Sequence, residues 1–197
     1  FWYLYLILDI YSRKIVAWEI HDKESGELAS ALINRAVVAE RCSKQPLVLH
    51  SDNGAPMTSH TFRSKLADLG IIPSYSRPRV SNDNAFVESV FKTVKYCPQW
   101  PSQGFLSLGE SREWMLAFVR FYNQEHRHSA IRFVTPEQRH EGRDQQILEH
   151  REQVYMKARQ RNPLRWSGKL RNWNPIGSVT LNPEREPELA GRQENAA

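Results

Sequence analysis

The chain has 197 residues, 40% of them hydrophobic, which is enough for one packed domain of ordinary size with an appendage. A net charge of +5 and a pI near 9.3 point toward a polyanionic partner. No apolar run reaches transmembrane length, no signal peptide is visible, and two cysteines, Cys42 and Cys97, give no disulfide framework, so a membrane or disulfide-stapled secreted protein is not expected.

Phe1–Asp9 and Lys14–Ile20 are β-rich runs flanking Ile10-Tyr11-Ser12-Arg13, and they predict an antiparallel hairpin. Ser25 caps a predicted helix reaching about Arg41, with Leu28, Leu32, Ala36 and Val37 on one face. Pro46–His50 reads as a short buried strand that stops at the polar turn Ser51-Asp52-Asn53-Gly54. A helix from about Ser59 to Leu69, ended by Gly70, precedes a strand at Ile71–Tyr75. Ser76–Asp83 is a polar loop with one proline, and a helix from about Asn84 to Tyr96 stops before Pro98.

Leu108–Gln124 predicts a helix with Trp114, Phe118 and Phe121 toward the core. Thr135-Pro136-Glu137-Gln138 has the signature of a capped helix start. We divide the chain into a core, 1–150, and a tail, 151–197, with a small β element at Ser178–Leu181. Between Arg151 and Arg171 the tail holds seven basic residues and one acid, Glu152. From Glu184 to Glu194 it turns acidic and is expected to be disordered. Alternating strands and helices give an α/β class, in which strand ends gather ligand-binding residues.

Two carboxylates stand out. Asp52 follows the apolar run Leu47-Val48-Leu49, and Glu88 opens a basic helix, with thirty-five residues between them. Spacing alone decides little, since roughly two acidic pairs at this separation arise by chance. Asp52 reads as a turn former or as a metal ligand. Glu88, Lys92 and Lys95 share one helix face. They read as a solvated Glu–Lys pair, or as an acid holding metal beside lysines holding phosphates. His126, Arg127, His128 and His140 lack the cysteine partners of a zinc site. His50-Ser51 lacks the glycines of a hydrolase elbow, and no phosphate-cradling glycine loop is present. The tail's cations with Trp166 and Trp173 suit either a nucleic-acid backbone or a linker whose tryptophans dock on the core.

Four blocks carry a resemblance: LYLILDIYSRKIVAWE, LHSDNG, SRPRVSNDNAFVESVFKTVKY and FYNQEHRHSAIRFVTPEQRH. In this order they resemble the catalytic subunit of two-reading-frame bacterial insertion-sequence transposases, whose cores are similar to retroviral integrases. The tail string WSGKLRNWNP fits the same likeness. It implies a ribonuclease-H-like mixed sheet flanked by helices, with three acids around magnesium or manganese. Asp52 matches the second acid and Glu88 the third; Arg127 and His128 fall in a segment that lies near DNA in the family.

The family's first acid lies in a Trp-x-x-Asp-x-Thr motif on a preceding strand, and this sequence has no such motif. Asp9 matches a further acid of the family rather than that one, so it reads as a strand-end residue. The resemblance thus implies a core lacking its first strand, with the edge of Phe1–Asp9 left open as an aggregation hazard. It implies DNA as partner, a homo-multimer when intact, and a cytoplasmic, nucleoid-associated location. The alternatives are a non-catalytic DNA-binding remnant and a plain nuclease of the same fold.

Overall fold

A computed structural model describes residues 1–43, 45–77 and 81–181, with the side chains of 81 and 82 left aside. The acidic stretch 184–194 lies outside these residues. Strands β1 (Tyr3–Leu8) and β2 (Ile15–His21) form the expected antiparallel hairpin. Strands β3 (Leu47–Ser51) and β4 (Ile71–Tyr75) pair in parallel, Ser51 opposite Tyr75. Helices α1 (Gly26–Ala39), α2 (Ala55–Thr58), α3 (His60–Asp68), α4 (Ala85–Lys95), α5 (Leu108–Gln124), α6 (Pro136–His140) and α7 (Asp144–Arg161) complete the fold.

Two apolar layers cover the two faces of β1. Tyr5 and Ile7 join α1 and α3 in a cluster with Leu32, Ile33, Phe62 and Leu66, and Leu47, Leu49 and Ile71 of the parallel pair belong to the same cluster. Leu4, Leu6 and Leu8 face the other way, toward Val90 and Val94 of α4 and Met115 and Phe118 of α5. A strand buried on both faces reads as an unbroken apolar run, as this one does.

The two edges of the hairpin differ. Asn123 mimics a strand at β2, its carboxamide accepting from Ile15 N and donating to Ile15 O, both at 3.0 Å. Farther along, Arg35 donates to Trp18 O and Arg112 to Ile20 O, while both guanidinium groups hold Glu19. The outer edge of β2 is thereby closed to another strand. Among the described residues β1 pairs only with β2, and β3 only with β4.

Two expectations are corrected. Tyr122, not Phe121, enters the core: Phe121 is 42% exposed and Tyr122 is 2% exposed. Residues 178–181 form no strand. The boundary proposed at 150/151 falls inside α7, and Trp173 packs back on Ile131, Val134 and Leu148.

The hairpin turn is clasped from the far end of the chain. Asp9 accepts from Tyr11 N, Ser12 N and Ser12 Oγ, and meets His140 Nδ1 at 3.2 Å. His140 Nε2 meets Glu40 at 2.8 Å, and Glu40 pairs with Lys14. Burial pushes both acids up, but the Ser12, Tyr11 and His140 bonds to Asp9, and the Lys14 and His140 bonds to Glu40, hold each below its ordinary value. A depressed carboxyl stabilises the fold above its unfolded pKa, and that contribution fades as pH falls through the folded one. Asp9→Asn should therefore destabilise the chain by about 1–2 kcal/mol at neutral pH. Urea unfolding at successively lower pH should show that difference shrink as pH falls through the folded carboxyl's own titration; a gap that never narrows would refute the clasp.

Candidate functional site

The C-terminal ends of β3 and β4 form a rim, the place where α/β sheets collect ligand-binding groups. Asp52 stands one residue past β3, exposed, with Oδ1 accepting from Gly54 N at 3.0 Å. It is a turn former, as one reading holds. A Cβ at position 54 would stand 3.0 Å from Oδ1, so glycine leaves the carboxylate its space. No bond among the described residues engages Oδ2.

Hydrogen bonds tie this turn to the segment that leads to Glu88. Asn53 Nδ2 donates to Ser76 O at 2.8 Å, and Ser76 N donates to Ser51 O at 3.0 Å. His50 bridges Ser74 Oγ and Ser76 Oγ through its two ring nitrogens. Arg77, the next residue, forks onto buried Asp83: Nε to Oδ2 at 3.0 Å, Nη2 to Oδ1 at 2.9 Å, and its backbone N to Oδ2 at 2.8 Å. Asp83 lies in a 3₁₀ turn, Ser81–Asn84, that runs into α4. The end of β3 and the start of α4 are thus joined through two short hydrogen-bonded links.

Glu88 sits in the first turn of α4, exposed, where the helix dipole favours a carboxylate. Lys92 and Lys95 continue its exposed face. Among the described residues neither lysine makes an ion pair with Glu88, so the helix-surface pair that spacing allowed is not formed. The inner face of α4 carries Val90 and Val94 into the core.

Sequence reading missed what braces the first turn of α4. Arg13 adopts a left-handed conformation, φ 68°, and lays its guanidinium over the Phe86 ring at 3.9 Å. Its Nε is buried with no hydrogen-bond partner among the described residues. Phe86 precedes Glu88 by two residues and so lies on the helix side away from it. No spacing rule joins positions 13 and 86; only the Ser-Arg pair in the hairpin turn hinted at a special residue.

Arg127 is exposed, as a phosphate contact requires. His128 is half-buried: it accepts from Ala130 N through Nδ1, and burial, with help from Arg13 and His126, pushes its pKa down to about 4. It is neutral at neutral pH and could offer phosphate only its Nε2–H. His126 stacks on Tyr122, and His140 is held by Asp9 and Glu40. Trp173 docks on the core and Trp166 meets Tyr155 edge-on. Among the described residues no three His, Cys, Asp or Glu side chains gather as a metal cluster. Asp52 and Glu88 offer two accessible carboxylates, the hard oxygen donors that suit a divalent cation retaining several waters.

Integrase core domain models match residues 1–81 and 69–136, together the first two thirds of the chain. The transposase for insertion sequence element IS904 of Lactococcus lactis is 30% identical over 139 residues, covering 68% of this chain and 53% of that protein. Transposase InsF for insertion sequence IS3A of Escherichia coli is 26% identical over 138 residues, 69% of this chain and 47% of its own length. The chain spans about half the length of the curated relatives it matches. Among solved structures, the catalytic core of BIV integrase aligns with TM-score 0.52 at 18% identity, over 77% of this chain and 89% of that one. The HTLV-2 integrase catalytic core domain in complex with magnesium gives 0.51 at 19%, over 70% and 83%. These two likenesses show a ribonuclease-H-like fold.

If Arg13 braces α4 through Phe86, Arg13→Ala should cost about 1–2 kcal/mol in thermal unfolding. Lys92→Ala and Lys95→Ala should stay within about 0.5 kcal/mol. Equal, negligible effects for all three would remove the brace.

Proposed function

This chain belongs to the integrase-core family, and from that premise we propose that it is the catalytic-core portion of a bacterial DNA transposase that cuts transposon ends and joins them to target DNA. What supports the reading is a pair of hydrogen-bonded links, Asn53 to Ser76 beside Asp52 and Arg77 to Asp83 just ahead of α4. Asp52 and Glu88 would hold magnesium or manganese, with Lys92, Lys95, Arg127 and His128 toward the DNA backbone. When bound, such an ion supplies charge to activate an attacking oxygen and to stabilise a leaving one.

The residues themselves do three things. Asp52 Oδ1 is pinned by Gly54 N, which orients Oδ2. Glu88 rides on a helix fixed on its inner face by Val90, Val94 and Phe86. The lysines place positive charge one and two turns beyond Glu88, where phosphates of a bound strand would lie. A third carboxylate would arrive on a strand paired with the open edge of β1, since the outer edge of β2 is closed by Asn123, Arg35 and Arg112. The whole protein would act as a homo-multimer pairing two DNA ends, in the cytoplasm at the nucleoid. Among the described residues no helix is long and apolar enough to cross a membrane.

A direct test extends the chain ahead of Phe1 by a strand carrying the Trp-x-x-Asp-x-Thr motif and assays joining of labelled DNA ends with Mg²⁺ or Mn²⁺. Joining should appear. Asp52→Asn or Glu88→Gln should lower it by at least about a hundredfold, the scale expected for a misplaced reacting group. Nicking without joining would mark a plain nuclease, and binding without reaction a DNA-binding remnant. Either result sinks the transposase reading.

A further inference from the structure

A second basic surface follows helix α5. After α5 the chain makes a 3₁₀ turn, Ser129–Ile131, and then places Arg132 and Phe133 consecutively in the left-handed region, both at φ 61°. Each such residue costs on the order of 1–2 kcal/mol. Arg151 of α7 braces the turn from below, donating through Nη1 to Arg132 O at 2.9 Å and through Nη2 to Phe133 O at 3.1 Å.

The tail adds to this turn. Trp173 is 6% exposed, packed on Ile131, Val134 and Leu148. Arg151 and Arg171 each lie 5.6 Å from the centre of its ring, and Arg171 also covers Phe133 at 5.1 Å. Arg132 Nε donates to Asn174 O. Arg127 is close enough that, after burial, its charge is the next influence lowering the Arg151 pKa. Among the described residues none of these four arginines pairs with a carboxylate, whereas Arg35, Arg77, Arg112 and Arg139 all do.

We propose that Arg132, Arg151 and Arg171 extend the Arg127 contact into a phosphate-binding patch for the backbone of duplex DNA, and that Trp173 is the anchor that brings Arg171 into it. The proposal rests on the DNA-directed reading above and extends it to a group of arginines that make no ion pair among the described residues. Arg132, Arg151 and Arg171 are held by carbonyl bonds and ring contacts with the Arg127 charge nearby, and a polyanion relieves the repulsion among them. Planar guanidinium groups fixed in place match phosphate oxygens better than mobile ammonium groups do. The role of the tail changes with it: Trp173 stacks on no base, because its ring is covered by protein on one side and flanked by arginines.

The test is equilibrium binding of a fluorescein-labelled DNA duplex of arbitrary sequence, titrated with salt. Arg127→Ala with Arg171→Ala should reduce the slope of log affinity against log salt by about two, one per lost phosphate contact. Binding near 0.1 M salt should weaken by roughly tenfold. The thermal midpoint should hold, since neither side chain makes a hydrogen bond among the described residues. Trp173→Ala keeps every charge yet should weaken binding as Arg171→Ala does, and the two together should be no worse than either. An unchanged salt slope in the double arginine variant overturns the patch, as does a wild-type chain that binds no duplex or that binds single-stranded RNA more tightly. Binding alone is read, so a failure here leaves the strand-joining test standing.

Discussion

Burying a guanidinium costs several kcal/mol unless its N–H groups meet fixed acceptors. Arg139 is 1% exposed, and its acceptors come from distant parts of the chain. Nε donates to Tyr11 O and Nη2 to Ile176 O, each at 2.7 Å, while Nη1 reaches Asp144 at 3.4 Å. The face of the group covers the Tyr11 ring at 4.1 Å. One side chain therefore fixes the hairpin turn, the first residue of α7 and the tail relative to one another. His140 adds Asp9 and Glu40 to the same knot, and Asn123 adds Ile15. The turn so held carries Arg13, and Arg13 sits on Phe86. The setting of α4, and of Glu88 on it, thus depends on residues near the other end of the chain.

The same knot explains how the sheet is protected. A hairpin with an apolar outer strand invites pairing with other chains. Side chains of α1 and α5 occupy the outward carbonyls of β2, so the helices that cover the sheet also close its edge. Both sheets contribute to one apolar cluster under α1. The geometry leaves β1 as the edge at which the sheet can grow, and the apolar residues on both its faces fit a strand that expects neighbours.

Much of this was legible in the sequence, unevenly. Capping residues with clear apolar stripes gave α1, α3, α5 and the Thr135 helix nearly to the residue, because local propensity and burial agree there. Helix α7 was hidden: its only core anchors are Ile147, Leu148 and Tyr155, too few to make a stripe in a strongly charged stretch. Phe121 and Tyr122 were exchanged because neighbouring aromatics leave the phase of a helix uncertain by one residue. Asp52 and Glu88 could be singled out from their neighbours and spacing. Arg13, Arg139 and His140 could not, since their roles rest on contacts more than seventy residues away, and nothing in local composition encodes such contacts.

Charge in this chain is sorted rather than spread. Glu19, Asp83 and Asp144 neutralise Arg35, Arg112, Arg77 and Arg139, and Glu40 neutralises Lys14. These pairs tie elements together and contribute no field at a distance. Among the described residues the cations outside these pairs include two lysines beside Glu88 and four arginines around the Ile131 turn. The Arg139–Asp144 pair is buried and weakly screened by salt, whereas exposed unpaired cations are strongly screened. Stability and DNA affinity should therefore separate on an ionic-strength axis, the fold nearly indifferent to salt and the binding steeply dependent on it. A basic protein whose positive charges served mainly to hold its own elements together would show the opposite ordering.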